Sequence, residues 1–178
     1  MTNRLLLGGA AIFVSMLCGY AEAQEFRVTA SQGNWTAAEH TTSDGMTVDV
    51  CVAGSRDRAF LLRADKDYIE LRSANGTWSM SVGDTGEMTV ISGDFSQSFQ
   101  MMADSDQVLA TDVTAPDMAS MLDALSKEKS VTLSYGKKTI RKLSLAGSTK
   151  VFNSFRACVT SYGFGSLGKA AGSNGSPF

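Results

Sequence analysis

Only one histidine, His40, is available for acid–base or metal chemistry in this chain. A zinc site needs three or four protein ligands, and a Ser-His-Asp triad would have to use His40 as its base. His40 stands in the polar stretch 38–43, which favours an exposed loop, and no Gly-x-Ser-x-Gly elbow is present. The sequence therefore predicts no catalytic residue, no metal site and no cofactor.

Two pairs of aspartates, Asp65/Asp67 and Asp104/Asp106, carry the oxygen ligands that calcium prefers. Neither pair continues into an EF-hand loop with its glycine and distal glutamate. Each pair lies where a solvated turn is expected, so the turn is the favoured interpretation. A carboxylate-dependent enzyme, such as a glycoside hydrolase, stays an alternative, because the sequence does not single out which two carboxylates would act.

Cys51 and Cys158 remain once the leader that contains Cys18 is removed. An even number of cysteines in an exported protein predicts a disulfide, which would join an early strand to the last helix. The alternatives are two free buried thiols or pairing between chains.

Residues 1–23 have the pattern of a secretion signal: Arg4, then an apolar run, then small residues at Ala21 and Ala23. The apolar run is shorter than the roughly 20 residues of a membrane-spanning helix. Cleavage after Ala23 and a periplasmic or secreted location are therefore expected. Lipidation at Cys18 is the alternative, although Leu17 is not the small residue expected before a lipidated cysteine.

The remaining chain predicts one domain over residues 24–162 and a flexible glycine-rich tail over 163–178. The leader carries one charge of each sign, so its removal leaves the formal net charge at −2. Both signs are interspersed, and no basic stripe is present to attract phosphates. Nucleic acid is therefore an unexpected partner.

Alternating apolar residues and frequent turns predict an α+β fold, mainly an antiparallel β sheet or sandwich with two helices near the C-terminus. One helix is expected from about Thr114, with the apolar stripe Met118, Met121, Leu122 and Leu125. The other is expected after Ser148 as N-cap. Asn75-Gly76 predicts a hairpin that joins strands near 69–73 and 78–82. Strands are also expected near residues 46–53, 59–63, 87–90, 95–102, 108–113, 131–135 and 139–145.

The large apolar side chains can either pack in the core or contact a ligand at the surface. Trp35 fits a core position better than a ligand contact. The methionines at positions 80, 101, 102, 118 and 121 can fill gaps in a core, form a soft binding groove or bind copper. The core role is favoured, because they form no tight Met-x-x-Met cluster with histidines.

The C-terminal region resembles small exported proteins of proteobacteria. The resemblance rests on residues 143–148 (Leu-Ser-Leu-Ala-Gly-Ser), on the helix-borne Phe155 and Cys158, and loosely on residues 78–83. Some of these proteins are distantly similar to the invasion-associated locus B family. The resemblance implies a Gram-negative periplasm and carries no site residues.

These observations predict an exported binding or interaction protein without catalytic activity, serving an envelope or host-contact function. Its expected partner is another envelope or extracellular protein. An inhibitor or immunity-type protein that blocks a hydrolase is the second hypothesis, because a rigid stapled β domain loses little entropy on binding. The oligomeric state is left open.

Overall fold

The structure, a computed structural model, describes residues 26–43, 45–137 and 139–167. In these residues a continuous antiparallel sheet of ten strands is accompanied by two helices, which confirms the predicted α+β class. The predicted signal, residues 1–23, lies outside the described part of the chain. The elements are β1 Phe26–Gln32, β2 Trp35–Thr41, β3 Val48–Ser55, β4 Leu61–Ala64, β5 Ile69–Ala74, β6 Thr85–Ser92, β7 Phe95–Ser105, β8 Val108–Asp112, α1 Ala115–Leu125, β9 Ser130–Tyr135, β10 Thr139–Ser144 and α2 Ser148–Ser161.

The sheet is curled rather than flat. Its strand order is β1-β2-β3-β4-β5-β8-β7-β6-β9-β10, so three strands separate β5 from β9. Nevertheless the Tyr135 hydroxyl of β9 lies 2.6 Å from the Ser73 hydroxyl of β5. The Trp35 indole of β2 donates to the Ser144 carbonyl of β10, at 2.8 Å. The two halves of the sheet therefore face each other across the core.

The core contains the residues that the apolar pattern predicts. The four stripe residues of α1 are fully buried, and Trp35 packs edge-on against Phe60 and Phe152. Met101, Met118 and Met121 are also fully buried, which confirms a core role for these three, whereas Met102 is exposed. Burying a side chain of this size contributes about 1.5–3 kcal/mol.

The first helix begins as predicted and the second does not. Thr114 is the N-cap of α1, and its hydroxyl accepts a hydrogen bond from the Asp117 N–H at 3.3 Å. The N-cap of α2 is Gly147, with φ +88°, while Ser148 is the first helical residue and is buried. A β-carbon at Gly147 would lie 2.8 Å from the Gln32 carbonyl oxygen, so this close turn requires glycine.

The predicted hairpin at Asn75-Gly76 is wrong. Strand β5 ends at Ala74 and pairs with β8, and residues 77–84 form a loop instead of a returning strand. The N–H groups of Asn75, Met80 and Gly83 donate to backbone carbonyls of the β7–β8 region. A local turn does form, since the Trp78 N–H donates to the Asn75 carbonyl at 3.1 Å, but the loop that follows pairs with the β7–β8 region and not with β5.

Cys51 of β3 and Cys158 of α2 are buried and lie at disulfide-bonding distance, with their Cα atoms 6.0 Å apart. Beyond α2, Leu167 is also buried, and its carbonyl accepts a hydrogen bond from the buried Arg156 guanidinium. Packed chain thus extends to residue 167 rather than ending at 162, and residues 168–178 of the predicted tail lie outside the described part. Neither described helix has the length and apolar character needed to cross a bilayer.

Candidate ligand-binding cleft

A cleft of about 590 Å³ opens where β3 begins and β4 ends. The β2–β3 loop, the turn between β4 and β5, and the chain that follows α2 form its walls. Its lining residues are Met46, Thr47, Val48, Asp49, Val50, Arg63, Asp65, Lys66, Asp67, Tyr162 and Phe164. Here we call this space the cleft.

The floor of the cleft is a turn organised by Asp65. One carboxylate oxygen of Asp65 accepts from the N–H groups of Asp67 and Tyr68, at 2.9 and 3.1 Å. The other lies 2.7 Å from the Arg63 guanidinium, which also lies over the Tyr68 ring at 5.6 Å. These contacts confirm the predicted turn at Asp65 and Asp67. The expectation that the turn is solvated is wrong for Asp65, which is only 8% exposed.

Electrostatics keep the Asp65–Arg63 pair ionised. Burial alone would raise the pKa of Asp65, but the two backbone N–H groups and Arg63 outweigh it and lower that pKa. Burial likewise opposes the charge of Arg63, yet the carboxylates of Asp65 and Glu70 raise its pKa. The Glu70 carboxylate lies 3.2 Å from Arg63.

Tyr162 and Phe164 form an aromatic wall, with ring centroids 6.1 Å apart. Gly163, with φ +72°, turns the chain between them, and the Phe164 N–H donates to the Val159 carbonyl at 2.9 Å. Cys158 joins the last turn of α2 to β3, so the cysteine pair fixes this wall relative to the opposite side of the cleft.

Smaller cavities extend the cleft on both sides. One of about 390 Å³ shares Asp67 and Phe164 with it and leads to Asp112 and the start of α1. Another, of about 380 Å³, shares Met46 and Tyr162 with it and leads towards Arg27. The two smaller cavities therefore lie next to the cleft and share part of its lining.

The prediction that His40 lies in an exposed loop is wrong. His40 belongs to β2 and is 7% exposed. Its Nδ1 lies 2.5 Å from the Asp49 carboxylate, and its ring packs at 5.0 Å from the ring of Phe26. Because Asp49 lines the cleft, His40 supports the cleft wall from behind. A ring covered in this way is poorly placed to serve as the base for a bound substrate.

The turn prediction for the second aspartate pair is wrong for Asp104 and correct for Asp106. Asp104 lies within β7 and pairs with Arg72, so the prediction that it lies in a turn is wrong. Asp106 does lie in the β7–β8 turn, where its carbonyl accepts from Met80. No group of three or more potential metal-ligating side chains occurs in the described ranges.

Comparisons with protein families, curated proteins and solved structures find no match to this chain.

The aromatic wall is the part of the cleft that the sequence did not predict. Tyr162 and Phe164 flank the residue at which the flexible tail was expected to start. The sequence feature that could have indicated the wall is the presence of two aromatic residues beside Gly163. Large aromatic rings provide more packing area than a solvated tail requires.

Proposed function

We propose that this chain is an exported binding protein without catalytic activity, which holds a partner protein of the envelope or cell exterior in the cleft. The observation that carries the proposal is the combination of the aromatic wall with Met46, which is 84% exposed at the opposite side. Exposed aromatic and methionine side chains around a concave surface are typical of binding sites.

Rigidity supports a binding role. The wall follows the cysteine pair directly, and the Asp65 turn is held by two backbone hydrogen bonds and an ion pair. A preformed cleft of this kind loses little conformational entropy when a partner binds. The cysteine pair also suits an oxidising compartment such as the periplasm, which the resemblance to exported proteobacterial proteins favours.

Site-specific photo-crosslinking in the native cells tests this proposal. A photoreactive amino acid is placed at Met46, on the cleft, or at Ile140, which is 72% exposed and lies outside the cleft lining. We expect a discrete crosslinked protein from position 46, lost when Tyr162→Ala is added, and none from position 140. Equal crosslinking from both positions, or none from position 46, would contradict the proposal.

An inhibitor of a hydrolase is the second candidate, and the loop 75–84 favours it. Val82 is 76% exposed on this loop, and backbone hydrogen bonds hold the loop against the β7–β8 region. A braced loop with an apolar tip is suited to insertion into an enzyme cleft. Under this hypothesis Val82→Asp abolishes inhibition in a hydrolase assay while Tyr162→Ala does not; the opposite pattern would assign the partner to the cleft.

A further inference from the structure

We infer that the segment held in the cleft is extended and cationic, with a lysine or arginine side chain that packs against Tyr162 and faces Asp67. This inference rests on the proposed function and adds the chemistry of the partner.

Charge is the first argument. Among the described residues, the cleft lining holds three carboxylates, Asp49, Asp65 and Asp67. The two cations of the lining, Arg63 and Lys66, pair with Asp65 and Asp67, so one carboxylate is in excess. Arg63 is already shared between Asp65 and Glu70. A partner with positive charge therefore meets complementary charge, whereas an acidic partner would place further carboxylates beside those of the cleft.

The adjoining cavity strengthens this preference. Asp67 and Asp112 belong to its lining, which contains no lysine or arginine among the described residues. The N-terminus of α1 contributes partial positive charge near Thr114, but Asp117 in the first turn of the helix offsets it. The acidic character therefore continues from the cleft to the start of α1.

Aromatic rings are the second argument. Tyr162 is 42% exposed on this surface, so its ring can accept a cation of the partner. The chain already contains this type of packing, since the Arg63 guanidinium lies over the Tyr68 ring. A lysine or arginine of the partner would repeat the same contact at Tyr162.

Shape is the third argument. The cleft shares Phe164 and Asp67 with the adjoining cavity that contains Asp112. A compact ligand would fill one of these cavities, whereas an extended peptide segment can occupy both. The same cavities contain exposed apolar surface for the side chains that alternate with basic ones.

Lys66 and Asp67 provide matched variants with opposite expected effects. Both are exposed, and they pair with each other at 2.8 Å in the turn between β4 and β5. Lys66→Gln removes a positive charge from the cleft, and Asp67→Asn removes a negative one. Asp94→Asn, in the exposed β6–β7 turn, removes the same negative charge outside the cleft and is the control.

The experiment measures binding of fluorescent peptides to the exported protein by anisotropy. One short peptide alternates arginine or lysine with leucine, and its counterpart carries glutamate at the basic positions. We expect the basic peptide to bind more tightly than the acidic one. For the basic peptide, Lys66→Gln should raise affinity and Asp67→Asn should lower it, each roughly 1.5- to 5-fold. Asp94→Asn should have no effect, and added salt should weaken binding.

Equal affinity for both peptides, or preference for the acidic one, would overturn the inference. So would equal effects of Asp67→Asn and Asp94→Asn, since the charge would then act from any position. Crosslinking at position 46 distinguishes failure of the proposed binding function from failure of the cationic chemistry inferred for the partner. A partner captured there despite no charge preference leaves the binding function standing and removes only the cationic chemistry, whereas failure of crosslinking removes the binding function itself.

Discussion

Asp65 performs two separable tasks at the floor of the cleft. Its carboxylate accepts two backbone hydrogen bonds and also pairs with Arg63. Asp65→Asn retains an oxygen that can accept the N–H groups but loses the charge, and we expect a loss of about 1 kcal/mol in the free energy of unfolding. Asp65→Ala loses both tasks, with an expected cost of about 2–3 kcal/mol. Urea unfolding at neutral pH measures both costs.

The pH dependence distinguishes the charge from the turn. Because the folded-state pKa of Asp65 is lowered, its ionic contribution is fully present above the unfolded pKa of about 3.9 and is lost as the pH falls through the folded value. The difference in stability between wild type and Asp65→Asn should stay constant from about pH 7 to about pH 5 and shrink below about pH 4. A difference that does not change with pH would show that the ion pair contributes nothing.

Single polar residues could be placed from the sequence only where their partner is local. Asp65 bonds to residues two and three positions ahead, and the sequence predicted its turn correctly. His40 is paired with Asp49 on the neighbouring strand β3, and Asp104 of β7 is paired with Arg72 of β5 across the intervening strand β8. Both residues were predicted wrongly. A polar side chain with a cross-strand partner can be buried or lie in a strand although its own segment resembles a loop.

At the scale of elements, the N-termini of the two helices predict different effects of an alanine substitution on stability. Thr114→Ala removes the side-chain acceptor at the N-cap of α1 and should cost about 1 kcal/mol. Ser148→Ala should be neutral or stabilising, because Ser148 does not cap α2 and its buried hydroxyl has no hydrogen-bond partner among the described residues. Thermal unfolding followed by circular dichroism checks both variants. A loss at Ser148 as large as that at Thr114 would indicate that Ser148 is the cap after all.

Elements defined by local periodicity were the best predicted. The stripe of α1 is buried as expected, and β9 and β10 pair around the turn at Gly136 as expected. A turn forms at Asn75-Gly76, but the predicted hairpin is wrong because β8, thirty or more positions along the chain, pairs with β5 in place of residues 78–82. Turn propensity cannot show which distant strand pairs with β5, since it describes only the local backbone.

At the scale of the whole molecule, the sequence predicted the class but not the strand order. The arrangement β5-β8-β7-β6-β9 brings together strands that are distant in the chain. The cleft forms where the β2–β3 loop, the β4–β5 turn and the chain that follows α2 lie side by side. Amino-acid composition and the alternation of apolar and polar residues do not show which distant segments of the chain contact each other. The pairing of Cys51 with Cys158 is the exception, because these are the two cysteines outside the predicted leader and they allow only one bridge with each other.

The cysteine pair closes a sequence separation of 107 residues, and its removal should affect the entire fold. In the chain-entropy model a loop of this length contributes up to about 4–5 kcal/mol, and measured effects are often smaller. For a domain of this size we expect the double variant Cys51→Ala/Cys158→Ala to melt about 5–15 °C lower than wild type. Differential scanning calorimetry measures this shift.

Reductant supplies the control for this prediction. Cys51 and Cys158 are both buried. We therefore expect reductant to act only after the protein is unfolded and allowed to refold in its presence. That treatment should lower the melting temperature of wild type towards that of the double variant and leave the variant unchanged. Because the aromatic wall begins four residues after Cys158, the double variant should also crosslink its partner less efficiently from Met46. Unchanged melting of reduced wild type would show that the two thiols are not bonded. Lower melting with undiminished crosslinking would show instead that the bridge stabilises the fold without positioning the cleft.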